Sequence, residues 1–143
     1  MYLLDTNIVS YSLYHPETYP HLVHRIKTVK QSSLYVSVVT LTELTNGRIE
    51  ALRRNQKNPK SVKYYGYVEE ILKDIQKMQW VSYGEAEYRE FIKIPASVRC
   101  GIHDKQIAAT AITHNFILIT ANIRHFKEIP KLRIEDWTAR PLE

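Results

Sequence analysis

Three carboxylates stand at the edges of apolar segments in this sequence: Asp5 in Tyr2-Leu3-Leu4-Asp5-Thr6-Asn7, Glu43 in Thr40-Leu41-Thr42-Glu43-Leu44, and Asp104 in Ile102-His103-Asp104-Lys105-Gln106-Ile107. An ionised carboxylate against a dry core is costly without a partner. Three such groups brought together suit a hard divalent cation, which takes oxygen ligands. A further corner follows the run Phe116-Ile117-Leu118-Ile119, where Thr120 and Asn122 present oxygens. The chemistry open to such a set is metal-assisted displacement at a phosphate.

Each acid also has an explanation that needs no metal. Asp5 fits the N-cap of a helix opening near Asn7. Glu43 completes Thr40-x-x-Glu43, the reciprocal capping box of a helix start. Asp104 fits the first turn of a helix reaching about His114, where the dipole favours an anion. It is the joint arrangement, three acids and a Thr-x-Asn corner each beside an apolar element, that points to chemistry.

Short apolar runs alternate with helical stretches along the chain, the pattern of βαβ units. Tyr2 to Leu4, Leu34 to Val39, Trp80 to Tyr83, Phe116 to Ile119 and Leu132 to Ile134 read as strands. Leu22, Val23, Ile26 and Val29 share a helical face, as do Leu41, Leu44, Ile49 and Leu52, and Tyr65, Val68, Leu72 and Ile75. His15-Pro16 ends a first short helix, and Asn55 to Lys60, with Pro59, is a loop between two others. No repeat or low-complexity tract divides the chain. The expectation is one α/β domain over residues 1–143, with a central, mostly parallel sheet of about five strands flanked by helices. Asp5 then lies past the carboxyl end of its strand, where open α/β sheets place ligand sites.

The chain's 143 residues suit a single domain, and its 44% hydrophobic content suffices for a core without staples. Cys100 is the one cysteine, so no intrachain disulfide forms. The segment before Asp5 is too short for the apolar stretch of a signal peptide, and no run reaches the roughly 18 apolar residues of a membrane span. The expectation is a soluble cytoplasmic protein. Leu142-Glu143 fits either native sequence or a cloning remnant. The net charge of +5 favours a polyanionic partner. The excess is local: Arg48, Arg53, Arg54, Lys57, Lys60 and Lys63 face Glu50 alone, which fits a solvated helix face or a surface for nucleic acid.

Leu3-Leu4-Asp5-Thr6-Asn7, Thr42-Glu43-Leu44, Asp104-Lys105-Gln106-Ile107-Ala108-Ala109 and Thr120-Ala121-Asn122-Ile123-Arg124-His125-Phe126 resemble the successive motifs of PIN-domain nucleases, in particular VapC toxins of bacterial type II toxin–antitoxin pairs. The closing Ile129 to Trp137 segment is similar to the last strand of such toxins. No one motif is specific, but four in order within a single-domain length are. The resemblance implies acids gathered at one end of a parallel sheet around Mg²⁺ or Mn²⁺. It also implies metal-dependent cleavage of RNA, inhibition by a cognate VapB-like antitoxin, and homodimerisation. Carried over by position, Asp5, Glu43 and Asp104 are metal ligands, with Thr120 and Asn122 supporting them in the catalytic set.

The sequence departs from many PIN domains at Asn122, where those carry another acid. Asn offers a neutral oxygen and no charge, which puts a second tightly held metal in doubt. His103 and His125 flank the proposed site and read equally as surface residues. Lys105, Arg124, Arg53 and Arg54 are candidate phosphate contacts, or solvated side chains. Most of the ten tyrosines are expected to pack helices on the sheet.

Two further readings stand beside the endoribonuclease. One is a PIN-like module that binds RNA or protein but cuts poorly for want of charge at Asn122. The other, phosphoryl transfer through an aspartate nucleophile of the haloacid-dehalogenase kind, wants a second Asp two residues after Asp5, where this chain has Asn7.

Overall fold

The computed structural model describes residues 1–140; Leu142 and Glu143 lie outside the described residues. Its centre is a five-stranded sheet in the order β3-β2-β1-β4-β5. The strands are β1 (Tyr2–Leu4), β2 (Leu34–Ser37), β3 (Trp80–Val81), β4 (Ile117–Ile119) and β5 (Arg133–Glu135). Every pairing is parallel, with Leu3 beside Tyr35 on one side and Leu118 on the other. Parallel strands need crossovers, and helices supply them. These are α1 (Thr6–Tyr14), α2 (Pro20–Thr28), α3 (Val38–Asn55), α4 (Ser61–Gln76), α5 (Glu85–Lys93), α6 (Ile102–Thr113) and α7 (Ile123–Phe126). Among the described residues no helix is long and apolar enough to cross a membrane.

Pleating sends neighbours on a strand to opposite faces. Leu3 and Leu118 join one core cluster with Ile107, Ala108 and Ala111 of α6, while Leu4 and Ile119 join the other with Ile8, Val9 and Leu22 of α1 and α2. Both faces of β1 are therefore covered, which is why it reads as an unbroken apolar run. A fully buried Leu or Ile contributes about 1.5–3 kcal/mol. Ala108, Ala109 and Ala111 are each 0% exposed, so α6 lies close on the sheet.

Local hydrogen bonding moves several boundaries from those the sequence suggests. β2 stops at Ser37 instead of Val39 because the Ser37 hydroxyl accepts from Val39 N at 3.1 Å and starts α3. β4 begins one residue late because Phe116 N donates to Ala111 O and Asn115 N to Ile112 O, closing α6 in a Schellman motif with Asn115 at φ 56°. On α4 the inward stripe is Tyr64, Val68, Ile71 and Ile75; the expected Tyr65 and Leu72 are 50% and 49% exposed. Two adjacent apolar stripes share Val68 and Ile75, and packing against α3 selects the one that contains Ile71. Val29 caps α2 from outside. The sequence reading did not single out α5 and α7. The former opens where Gly84 N donates to Glu87 Oε2 at 2.8 Å.

The sheet order reverses at β1: β2 and β3 extend one way, β4 and β5 the other. Diverging connections leave a crevice outside the carboxyl ends of β1 and β4. Asp5 and Thr120 are the residues that follow those two strands.

Candidate active site

Asp5 is fixed from three directions. Its N–H donates to Ile119 O at 2.9 Å, continuing the β1–β4 ladder past the strand. Oδ1 accepts from Thr6 N and Oδ2 from the Thr120 hydroxyl, each at 2.8 Å. Asp5 is therefore the N-cap of α1, as its structural reading holds, and that role also aims its carboxylate at the crevice. The residue is 3% exposed, and no Lys, Arg or His among the described residues pairs with it. Burial pushes its carboxyl up; the Thr120 and Thr6 hydrogen bonds pull it down, and the charges of Asp104 and Glu43 push it up further, to about 6.

Glu43 is brought in by α3. The capping-box reading fails here, because Ser37 caps the helix and Glu43 lies in its second turn. Its Oε1 instead accepts from the Thr6 hydroxyl at 2.7 Å, and Oε2 lies 3.3 Å from His103 Nδ1. Asp104 occupies the first turn of α6, with Oδ2 3.1 Å from His125 Nδ1. Its like charge, which raises Asp5, places it in the same electrostatic cluster.

Thr120 is 0% exposed; its hydroxyl accepts from Asn122 N at 3.0 Å while donating to Asp5. Asn122 is the N-cap residue of α7, and its side-chain amide lies 2.6 Å from His125 Nδ1. That nitrogen cannot accept from an amide and donate to Asp104 together. Turning Asn122 so that its carbonyl faces a protonated Nδ1 satisfies all three groups.

The four elements thus gather Asp5, Glu43, Asp104, Thr120 and Asn122 at one sheet edge. As placed, no three His, Cys, Asp or Glu side chains among the described residues stand close enough to enclose a metal ion. The acids face the hydroxyl and imidazole groups around them. As a donor set they fit a hard cation: oxygen ligands, one deeply buried, with no Lys or Arg neutralising them among the described residues.

Lys105 follows Asp104 on α6 and is half-buried, while Arg124 is exposed on α7. Arg53 and Arg54 are more remote, about 15 Å beyond Glu43 along α3, and Arg53 pairs with Glu50 at 2.8 Å. Thr6 and the two histidine contacts escaped the sequence reading. Thr6 had one local signal, its place at the first helical position after Asp5, but nothing local pairs residue 6 with residue 43. A cavity of about 500 Å³, lined by Val9, Ile26, Val36 and Met78 among others, lies on the α1–α2 side and includes none of the acids.

The sequence matches the PIN domain family over residues 2–132. It is 31% identical over 138 residues to the protein named ribonuclease VapC2 of Rickettsia felis, covering 96% of this chain and 98% of that one. It is 25% identical to the tRNA(fMet)-specific endonuclease VapC of Salmonella typhimurium over 95% of this chain and 97% of the relative. The fold superposes on a chain of the DNA-bound VapBC crystal structure from Salmonella typhimurium with a TM-score of 0.72 at 27% identity, covering 95% and 97% of the two chains. With its acids at the reversal point of an all-parallel sheet, and with relatives of this kind along nearly its whole length, the chain belongs to the PIN-domain family and, within it, to the VapC group.

Proposed function

We propose that this protein is an endoribonuclease dependent on Mg²⁺ or Mn²⁺, and the toxin of a VapBC-type toxin–antitoxin pair. The observation that carries the reading is Asp5: a carboxylate 3% exposed at the crevice, its pKa raised by burial first and then by Asp104 and Glu43, and left without a basic partner among the described residues. The names of the Rickettsia felis and Salmonella typhimurium relatives supply the reaction class.

In this reading Asp5, Glu43 and Asp104 hold the cation. When bound, it supplies Lewis acidity at the scissile phosphate and activates water for an in-line attack. Thr120 orients Asp5 through its hydroxyl, and Asn122 contributes a neutral oxygen to the catalytic set. Thr6 keeps Glu43 turned toward Asp5. In the same reading Lys105 on α6 and Arg124 on α7 meet phosphate beside the acids, with Arg53 and Arg54 further along α3.

The antitoxin partner is supported by the VapBC assembly of Salmonella typhimurium. Val62, Tyr65 and Leu72 expose an apolar stripe on α4 that suits a homodimer contact. The cytoplasm, where RNA and antitoxin meet the enzyme, is the proposed site of action. A PIN-like module that binds RNA or protein but cuts weakly draws support from Asn122 and from the open arrangement of the acids.

Brief expression in a bacterial host, followed by sequencing of cellular RNA ends, tests the reading. Discrete new ends with the native chain and none with Asp5→Asn are expected. Identical end profiles for the two would leave only the binding module.

A further inference from the structure

Outside the acidic crevice, one side chain combines full charge, packing against two aromatic rings and, among the described residues, unused hydrogen-bonding capacity. The Arg48 guanidinium on α3 lies 4.2 Å from the ring centre of Tyr14 and 5.2 Å from that of Tyr67. Those rings belong to the end of α1 and to α4. The Lys63 ammonium adds a second cation 5.5 Å from Tyr67, and Tyr64 sets its ring edge-on to Tyr67 at 5.8 Å.

Aromatic faces attract a guanidinium without neutralising it. They leave its five N–H donors, which lie in the plane, available at the edge. Among the described residues Arg48 has no hydrogen-bond acceptor and no ion-pair partner, in contrast to Arg53, which pairs with Glu50 at 2.8 Å. A staple that only tied α1 to α4 would gain from a neutralising acid. A receptor for a phosphate would be spoiled by one. Holding the fork between rings also removes rotamer freedom before the ligand arrives, which favours binding.

Position links this group to the crevice. Arg48 is five residues past Glu43, about 7.5 Å along α3 and about 140° around it, and both side chains reach α1, Glu43 at Thr6 and Arg48 at Tyr14. Tyr14 ends the helix that Asp5 begins, and α1 packs on α3. A strand of nucleic acid lying across Asp5 and Glu43 therefore continues along the α1–α3 seam toward Arg48. Lys63, against the same Tyr67 ring, adds charge of the sign a phosphodiester backbone requires.

We infer that Tyr14, Arg48, Tyr67 and Lys63 form a phosphate clamp that grips the RNA backbone a few nucleotides from the cleavage point. This rests on the ribonuclease reading. Arg48 is a positioning residue: it holds flanking RNA and takes no part in bond breaking. With the phosphate as its ligand, the clamp adds affinity without reading base sequence.

The test measures anisotropy of a fluorescent, mixed-sequence single-stranded RNA on the Asp5→Asn protein, with and without Arg48→Gln or Arg48→Lys, across a range of salt. Arg48→Gln is expected to weaken binding about tenfold, and the slope of log affinity against log salt is expected to fall by about 0.7, as for one lost phosphate contact. Arg48→Lys keeps the charge but loses the fork, so it retains the slope with an intermediate affinity. A staple without ligand would lower the unfolding midpoint and leave affinity and slope unchanged, which overturns the clamp. The same holds if Arg48→Gln impairs binding of an antitoxin peptide while RNA affinity stays put. Should Arg48→Gln fail to fold, the exposed Lys63→Gln must reduce the slope; an unchanged slope overturns the proposal. If Asp5→Asn protein binds no RNA and the native chain cuts none, the ribonuclease reading fails as well. Normal cleavage with no effect of either substitution removes the clamp alone.

Discussion

Burial and the charges of Asp104 and Glu43 hold the Asp5 carboxyl at about 6, against an ordinary 3.8, so that at neutral pH the metal-free chain carries an anion its surroundings disfavour. The sign follows from linkage. A folded value above the unfolded one means that the group's stabilising contribution is complete below 3.8 and is lost as pH rises through about 6. The loss is about 3 kcal/mol. In chelator, urea unfolding of the native chain should weaken across this window relative to Asp5→Asn, and Mn²⁺ should restore it for the native chain alone. Parallel pH curves for the two proteins would contradict an uncompensated acid at this position. Thr120→Val tests the neighbour: without the hydroxyl, Asp5 ionises at still higher pH. Cleavage at pH 7 should fall about tenfold or more, and its acid limb should move upward, while loss of a buried hydrogen bond costs about 1–3 kcal/mol of stability. An unmoved acid limb would show that Thr120 does not set the state of Asp5.

At the scale of elements, the site depends on where helices begin. Ser37 starts α3 and so determines which turn carries Glu43. Ser37→Ala should lower stability by about 1 kcal/mol in chemical denaturation. Ala108 sits at 0% exposure between α6 and the sheet, so Ala108→Leu should cost about 1–3 kcal/mol and displace Asp104, lowering cleavage in a protein that still folds. Cleavage equal to the native chain would mean that the close seat of α6 is not what positions Asp104. The strands and the α6 alanines were legible because burial on both faces leaves a local trace, an apolar run or a file of small residues. The start of α3 differs because Thr40-x-x-Glu43 imitates a capping box, whereas Ser37, inside the apolar run Leu34 to Val39, carries the actual cap. On α4, Tyr65 and Leu72 satisfied helical periodicity as well as Tyr64 and Ile71; only contact with α3 distinguishes the stripes. The Thr6–Glu43 and His125–Asp104 contacts join distant segments, and nothing local in the chain encodes them.

At the scale of the whole molecule, the sheet separates two tasks. Its reversal point concentrates negative charge, while the net +5 is carried elsewhere, notably on the α3–α4 arm. Such a division suits a polyanionic substrate held by its backbone around a cation site. The proposed homodimer, with the outer stripe of α4 as its contact, predicts that the chain sediments as a dimer and that Leu72→Asp, at a half-exposed position, yields folded monomers. A native chain that is monomeric at all concentrations would remove the dimer and leave the site unaffected. The proposed function has Asp5 and its neighbouring acids cut RNA with a divalent cation. Its most direct measurement is the cleavage rate of purified protein on transfer RNA as Mg²⁺ or Mn²⁺ is titrated, for the native chain and for Asp5→Asn. Saturable, EDTA-sensitive cleavage by the native chain is expected, with a loss of at least about a hundredfold in the variant, the scale of removing a principal electrostatic group. Equal rates in the two proteins, or cleavage indifferent to EDTA, would contradict it.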